Sequence, residues 1–190
     1  MKTSSLKFLS AILAVGFFGA AHAQRVTSGA IDFRGNITPA TCEIDSNTRS
    51  LLVEFGAVPP DRTGFQGNGN TVVAGDVATP AYTKTFTIRL LGCTAATATN
   101  NQPQNARFRF SGANSQRITT DGTLTTTNSS VNIQILESGI PLNMNNLSSL
   151  FALTAAPVII NYGARYQVAA NTTLTTGVAD SSATFTLNYP

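Results

Sequence analysis

The chain has 190 residues, 12 basic against 9 acidic side chains, two cysteines, no tryptophan and one histidine. That histidine, His22, falls in an N-terminal leader, so catalysis built on histidine and histidine metal sites are excluded from the remainder. The leader also carries Lys2 and Lys7, and its loss leaves ten basic against nine acidic residues, a net +1. The scattered arginines that remain give no basic patch for nucleic acid.

The leader is read from its parts: a positive start, an apolar run over residues 9–18, and the small-x-small site Ala21-His22-Ala23. This is the pattern of a secretory signal peptide covering residues 1–23. The apolar run is shorter than the roughly 20 residues a membrane-spanning helix needs. The mature product is expected over residues 24–190, a length that suits one all-β domain.

Strand signals follow at short intervals. Residues 29–38 alternate apolar or small side chains with polar ones, as a strand with one dry face does. Pro39 interrupts, and Cys42-Glu43-Ile44 comes next. Leu51-Leu52-Val53-Glu54-Phe55 reads as another strand, ended by Gly56 and Pro59-Pro60. Gly64-Phe65-Gln66-Gly67-Asn68-Gly69 lacks the strand-then-helix context of a phosphate cradle and is expected to be a flexible hairpin loop. Thr85-Phe86-Thr87-Ile88-Arg89-Leu90-Leu91 alternates up to Gly92-Cys93, and a polar loop covers residues 94–104. Further strands are expected at 107–110, 131–136 (with a turn at Glu137-Ser138-Gly139), 158–162 continuing over 164–169, and 185–189. Residues 143–150 are expected to form a short turn of helix, with no amphipathic helix of useful length elsewhere.

Cys42 and Cys93 form an even pair in an exported chain, which points to one disulfide. There is no CxxC pair for redox work. The nine acids (Asp32, Glu43, Asp45, Glu54, Asp61, Asp76, Asp121, Glu137 and Asp180) stand in no recognisable catalytic motif. No enzyme activity, cofactor or metal is expected. An apolar strand on an arm before the first cysteine, matched by an alternating strand that ends the chain, suggests assembly.

The motifs in this order resemble the subunits of chaperone–usher pili, the type 1 fimbrial pilin family. The resemblance rests on Gly29-x-Ile31-x-Phe33-x-Gly35-x-Ile37, then Pro39-Ala40-Thr41-Cys42, then Phe86-x-Ile88-x-Leu90-x-Gly92-Cys93. Val131-x-Ile133-x-Ile135-x-x-x-Gly139-x-Pro141-Leu142 follows, and the C-terminal signature is Gly177 with the penultimate Tyr189. It covers essentially the whole mature chain.

The resemblance implies an incomplete immunoglobulin-like β-sandwich that lacks its last strand, with an N-terminal donor-strand arm and one disulfide, Cys42 to Cys93. Residues 24–38 would be the arm and 39–190 the pilin domain. A missing strand leaves apolar side chains and unpaired backbone groups exposed in a groove. In this family a periplasmic chaperone lends a strand to the groove, and at the outer-membrane usher the arm of the next subunit replaces it. The donor face would be Gly29, Ile31, Phe33, Gly35 and Ile37, with Ile31 and Phe33 as the main apolar plugs. Gly29 would sit where the groove has no room for a side chain, so Gly29→Ala should slow exchange. The acceptor side would include Gly177, Phe185, Leu187 and Tyr189. Pro190 departs from the family pattern, because it cannot extend strand pairing at the chain's end.

The implied function is a structural subunit of an adhesive fimbria on the bacterial surface, exported through the periplasm and polymerised head to tail with identical or related pilins. A major shaft subunit is the favoured role. A minor adaptor or terminator, or a carbohydrate-binding adhesin, is the alternative; an adhesin often presents aromatic platforms, which a chain without tryptophan supplies less readily. Any contact with a host surface would be made through the assembled pilus.

Overall fold

The computed structural model describes residues 42–94 and 104–190. The proposed arm and leader lie outside the described residues. Among those described, nearly all regular structure is β, and no helix is long and apolar enough to cross a membrane.

The longest strand organises the first sheet. β10 (Val158–Val168) pairs antiparallel along one edge with β4 (Lys84–Leu91), from Val158↔Leu90 to Ala164↔Lys84. Its other edge pairs with β7 (Val131–Glu137), from Tyr162↔Glu137 to Val168↔Val131. Short strands complete this sheet of eight: β1 (Glu43–Ile44) beside β4, β3 (Val77–Ala78) beside β10, β2 (Phe65–Gln66) beside β3, and β6 (Leu124–Thr125) and β8 (Ile140–Pro141) beside β7. The second sheet has three strands, with β5 (Asn105–Gly112) between β11 (Ala183–Asn188) and β9 (Phe151–Ala152).

Period-two alternation explains how the sheets meet. Ile88 and Leu90 of β4, Ile135 of β7 and Tyr162 of β10 point inward from the first sheet, and Ala106, Phe108 and Phe110 of β5 meet them from the second. The rings of Phe108 and Phe110 sit edge-on to Tyr162, with centroids 6.3 and 5.2 Å away. Edge-to-face packing of this kind suits the aromatic quadrupole. The Cys42–Cys93 disulfide forms, tying the start of β1 to the end of β4.

Several local expectations are corrected. The alternating segment 51–55 is not in a ladder, because no described strand lies beside it. The stretch expected as a flexible loop contains β2. Its hairpin to β3 is closed by the Arg62 guanidinium, which donates to the Asp76 carboxylate at 2.8 Å and to the carbonyls of Asn68 and Thr71. Residues 143–150 form a turn rather than helix, since the Asn143 side chain accepts from the Asn145 N–H at 2.9 Å and offers the backbone a non-helical alternative. The sole α-helical turn, α1 (Ser46–Arg49), lies elsewhere among the described residues and is capped by Asp45, whose carboxylate accepts from the Asn47 N–H. The strand read over 158–162 and continued past Gly163 to 169 is found as one strand, Val158–Val168, ending one residue earlier.

Candidate functional site

The site is a groove where the sandwich is open. One rim is the segment 51–58 and the other is 174–182 running into β11. Two adjoining cavities, of about 720 and 310 Å³, lie between these rims and share Leu52, Val53, Phe55, Ile133 and Ser181 in their walls.

The first rim alternates as a strand does. Phe55 is buried and Val53 half-buried, while Leu52 and Glu54 point to solvent. Among the described residues, no backbone group from 51 to 60 makes a hydrogen bond. A row of unpaired N–H and C=O groups in an extended segment is a template for another strand.

The second rim is paired along one edge only, among the described residues. β11 pairs with β5 from Ala183↔Gly112 to Asn188↔Arg107, and no described strand pairs with its other edge. Upstream of β11 the rim is held chiefly by side chains. The Thr175 N–H donates to the Ser130 hydroxyl, and Asn128 Nδ2 donates to the Thr175 carbonyl. Thr127 exchanges backbone and hydroxyl bonds with Asp180 and Val178. Gly177 lies on this rim with φ +149°, a backbone geometry that favours glycine.

The floor is apolar. Phe86, Phe110, Leu124, Ile135 and Ala164 line the smaller cavity, and Phe65, Val131 and Tyr166 line the larger one. Ala164 leaves space between two large inward residues of β10, Tyr162 and Tyr166. The Tyr166 ring packs on Phe55 with centroids 4.4 Å apart. Its hydroxyl donates to the Ala179 carbonyl at 2.9 Å. Burial, with a smaller contribution from Asp180, pushes the Tyr166 hydroxyl above its usual pKa, so it stays a donor.

Of the C-terminal residues named from the sequence, Phe185 and Leu187 pack half-buried against the main core, and Phe185 also lines the smaller cavity. Tyr189 lies just past β11 and is exposed. Gly29, Ile31, Phe33, Gly35 and Ile37 lie outside the described residues. Sequence reasoning missed the first rim as a rim, and missed Tyr166, Phe55 and Ala179. The alternation over 51–55 was a real signal, but it does not reveal that no described strand lies beside this segment.

Among the described residues, no cluster of His, Cys, Asp and Glu is arranged to hold a metal. The groove presents backbone edges and hydrophobic side chains, which is chemistry for holding a peptide strand. Fold and groove together define an immunoglobulin-like β-sandwich of the pilus-subunit class.

Residues 31–190 match the family model described as fimbrial protein, and the chain belongs to that family. It is 27% identical over 194 residues to the uncharacterized fimbrial-like protein SfmA of Escherichia coli K12, covering 97% of this chain and 98% of that protein. In fold it is similar to the P pilus rod subunit PapA, with a TM-score of 0.61 and 17% identity, covering 80% of this chain and 100% of the other. A chain from a chaperone–usher pilus is equally similar, with a TM-score of 0.61 and 19% identity over 87% of this chain and 97% of the other. The protein is therefore a fimbrial subunit, a structural protein of an extracellular surface appendage and not an enzyme.

Proposed function

We propose that this subunit polymerises by donor-strand exchange: its arm, residues 24–38, fills the groove of a neighbouring subunit, and a neighbour's arm fills its own. The observation that carries this reading is the groove, an apolar floor between two backbone edges that have no partner among the described residues. Lengths agree. The first rim has eight residues, 51–58, and the arm segment has nine, 29–37, which as a strand would reach about 30 Å at ~3.3 Å per residue. The arm's alternation supplies one apolar face for the floor, through Ile31 and Phe33, each worth roughly 1.5–3 kcal/mol when buried.

Before assembly, a periplasmic chaperone would cover the groove with a strand of its own, and an outer-membrane usher would pass the subunit on. A domain that both donates and accepts a strand suits an internal position in a fibre, so a shaft subunit is the favoured role. Signal cleavage after Ala23 and passage through the periplasm belong to the same reading.

Thermal unfolding of two forms tests it. One is residues 24–190. The other begins at Asn36 and carries a copy of residues 29–37 on a flexible linker after Pro190. The second is expected to melt well above the first and to remain monomeric. A first form that is an equally stable monomer, unaffected by removal of its arm, would mean that the sandwich needs no donated strand.

A further inference from the structure

We propose that Tyr166 is a brace across the groove, a positioning residue that holds the two rims at the spacing an incoming strand needs. This rests on the donor-strand reading above and goes beyond it by assigning the preorganisation of the groove to one side chain. Tyr166 is placed centrally: it stands on β10, in register with Ile133 of β7, and lines the larger cavity. Its ring leans on Phe55 of the first rim, and its hydroxyl is bonded to Ala179 of the second. Of the side chains on the floor, it is the one with a ring contact to one rim and a hydrogen bond to the other.

Both rims need such a support. The first has no backbone hydrogen bond to a described residue, and the second is outside any ladder until Ala183. Rims without ladders are free to close toward each other or to splay apart. Both rims also carry exposed apolar residues in the cavity wall, Leu52 at 84% and Val178 at 72% exposure, whose burial would favour collapse of the cavity. A rigid ring packed against one rim and tethered to the other opposes both movements. A strand that enters a groove held at the right width does not have to order it, which is the general advantage of preorganisation.

The test uses the chain over residues 24–190 and a fluorescent peptide of residues 24–38, with uptake followed by anisotropy and melting temperature measured for the peptide-filled form. Tyr166→Phe keeps the ring and deletes the tether. It is expected to slow peptide uptake about three- to tenfold, the scale of one net hydrogen bond. The filled form should melt within a degree or two of the unsubstituted one, because the inserted strand then holds both rims. Phe55→Leu removes the opposite contact and is expected to slow uptake similarly. If the two act as one brace, the double variant will be slowed by less than the product of the single effects.

Uptake at the original rate, or faster, in both single variants overturns the brace while leaving strand exchange intact. Equal losses of melting temperature in empty and filled forms, with no change in uptake rate, reduce Tyr166 to an ordinary core tether and also overturn it. Absence of uptake by the unsubstituted chain overturns the donor-strand reading and the brace with it. Should Tyr166→Phe fail to fold, the Phe55→Leu rate alone decides.

Discussion

Tyr162 shows how one buried side chain can couple the fold to pH. It is 2% exposed, enclosed by Phe86, Phe108 and Phe110, and its hydroxyl has no hydrogen-bond partner among the described residues. Burial pushes its pKa up to about 12; Ser148 and Glu137 are near enough to act in opposite directions, but neither reaches hydrogen-bonding geometry. The fold thus favours the neutral phenol. The stability tied to this preference is complete below the unfolded value near 10 and is lost as pH rises from there through about 12. Urea unfolding across that range should show a loss approaching about 2–3 kcal/mol from this group. Tyr162→Phe should flatten that part of the profile. At neutral pH the same substitution should be close to neutral or slightly stabilising, because it removes a polar atom that is buried without a partner. A cost above about 2 kcal/mol at pH 7 would show that the hydroxyl has a bonded partner after all. The sequence could not disclose any of this. Tyr162 reads there as one more residue in a strand, and its environment comes from rings up to 76 positions away along the chain, as with Phe86.

At the level of elements, the sequence was informative wherever a strand finds its partner within the chain. The alternations at 85–91, 107–110, 131–136 and 158–168 became β4, β5, β7 and β10, because their apolar faces fill one shared core. Strands of two residues, such as β2, carry too little pattern to detect. Residues 51–55 have the pattern of a strand without a ladder to any described strand, because pairing depends on a neighbour and the pattern records only burial. The β7–β8 hairpin is a case where local chemistry sufficed. Leu136↔Pro141 and Glu137↔Ile140 leave Ser138 and Gly139 as a two-residue turn, with φ of 52° and 80°. Left-handed geometry at both positions is that of a type I′ turn, which favours Asn-Gly. Gly139→Val should therefore destabilise the domain by about 1–2 kcal/mol. Ser138→Asn should stabilise it by a few tenths. Denaturant midpoints of the two variants should move in opposite directions, and movement in the same direction would show that this turn does not set the hairpin.

For the whole molecule, the central question is how a sandwich with an open groove holds together at all. The Cys42–Cys93 disulfide offers an answer in chain topology. It closes a loop of 51 positions that contains the entire first rim, α1, β1, β2, β3 and β4. With no ladder to a described strand, the rim depends on its ends, and the disulfide limits how far they can stray in the unfolded chain. The chain-entropy model values such a closure at about 4 kcal/mol. The position of the two cysteines was legible in the sequence, but their relation to the groove was not, since nothing in the sequence marks 51–58 as a rim. The arrangement predicts unequal effects of reduction. The empty chain should lose most of its cooperative unfolding transition when Cys42 and Cys93 are both replaced by alanine. A form whose groove is filled by a linked copy of residues 29–37 should keep its transition, at a lowered midpoint, because the inserted strand supplies pairing that no described strand gives the first rim. Calorimetry on the four combinations of disulfide and linked strand would measure this. If the disulfide contributed equally with and without the strand, the two devices would be independent, and the rim would owe its position to packing alone.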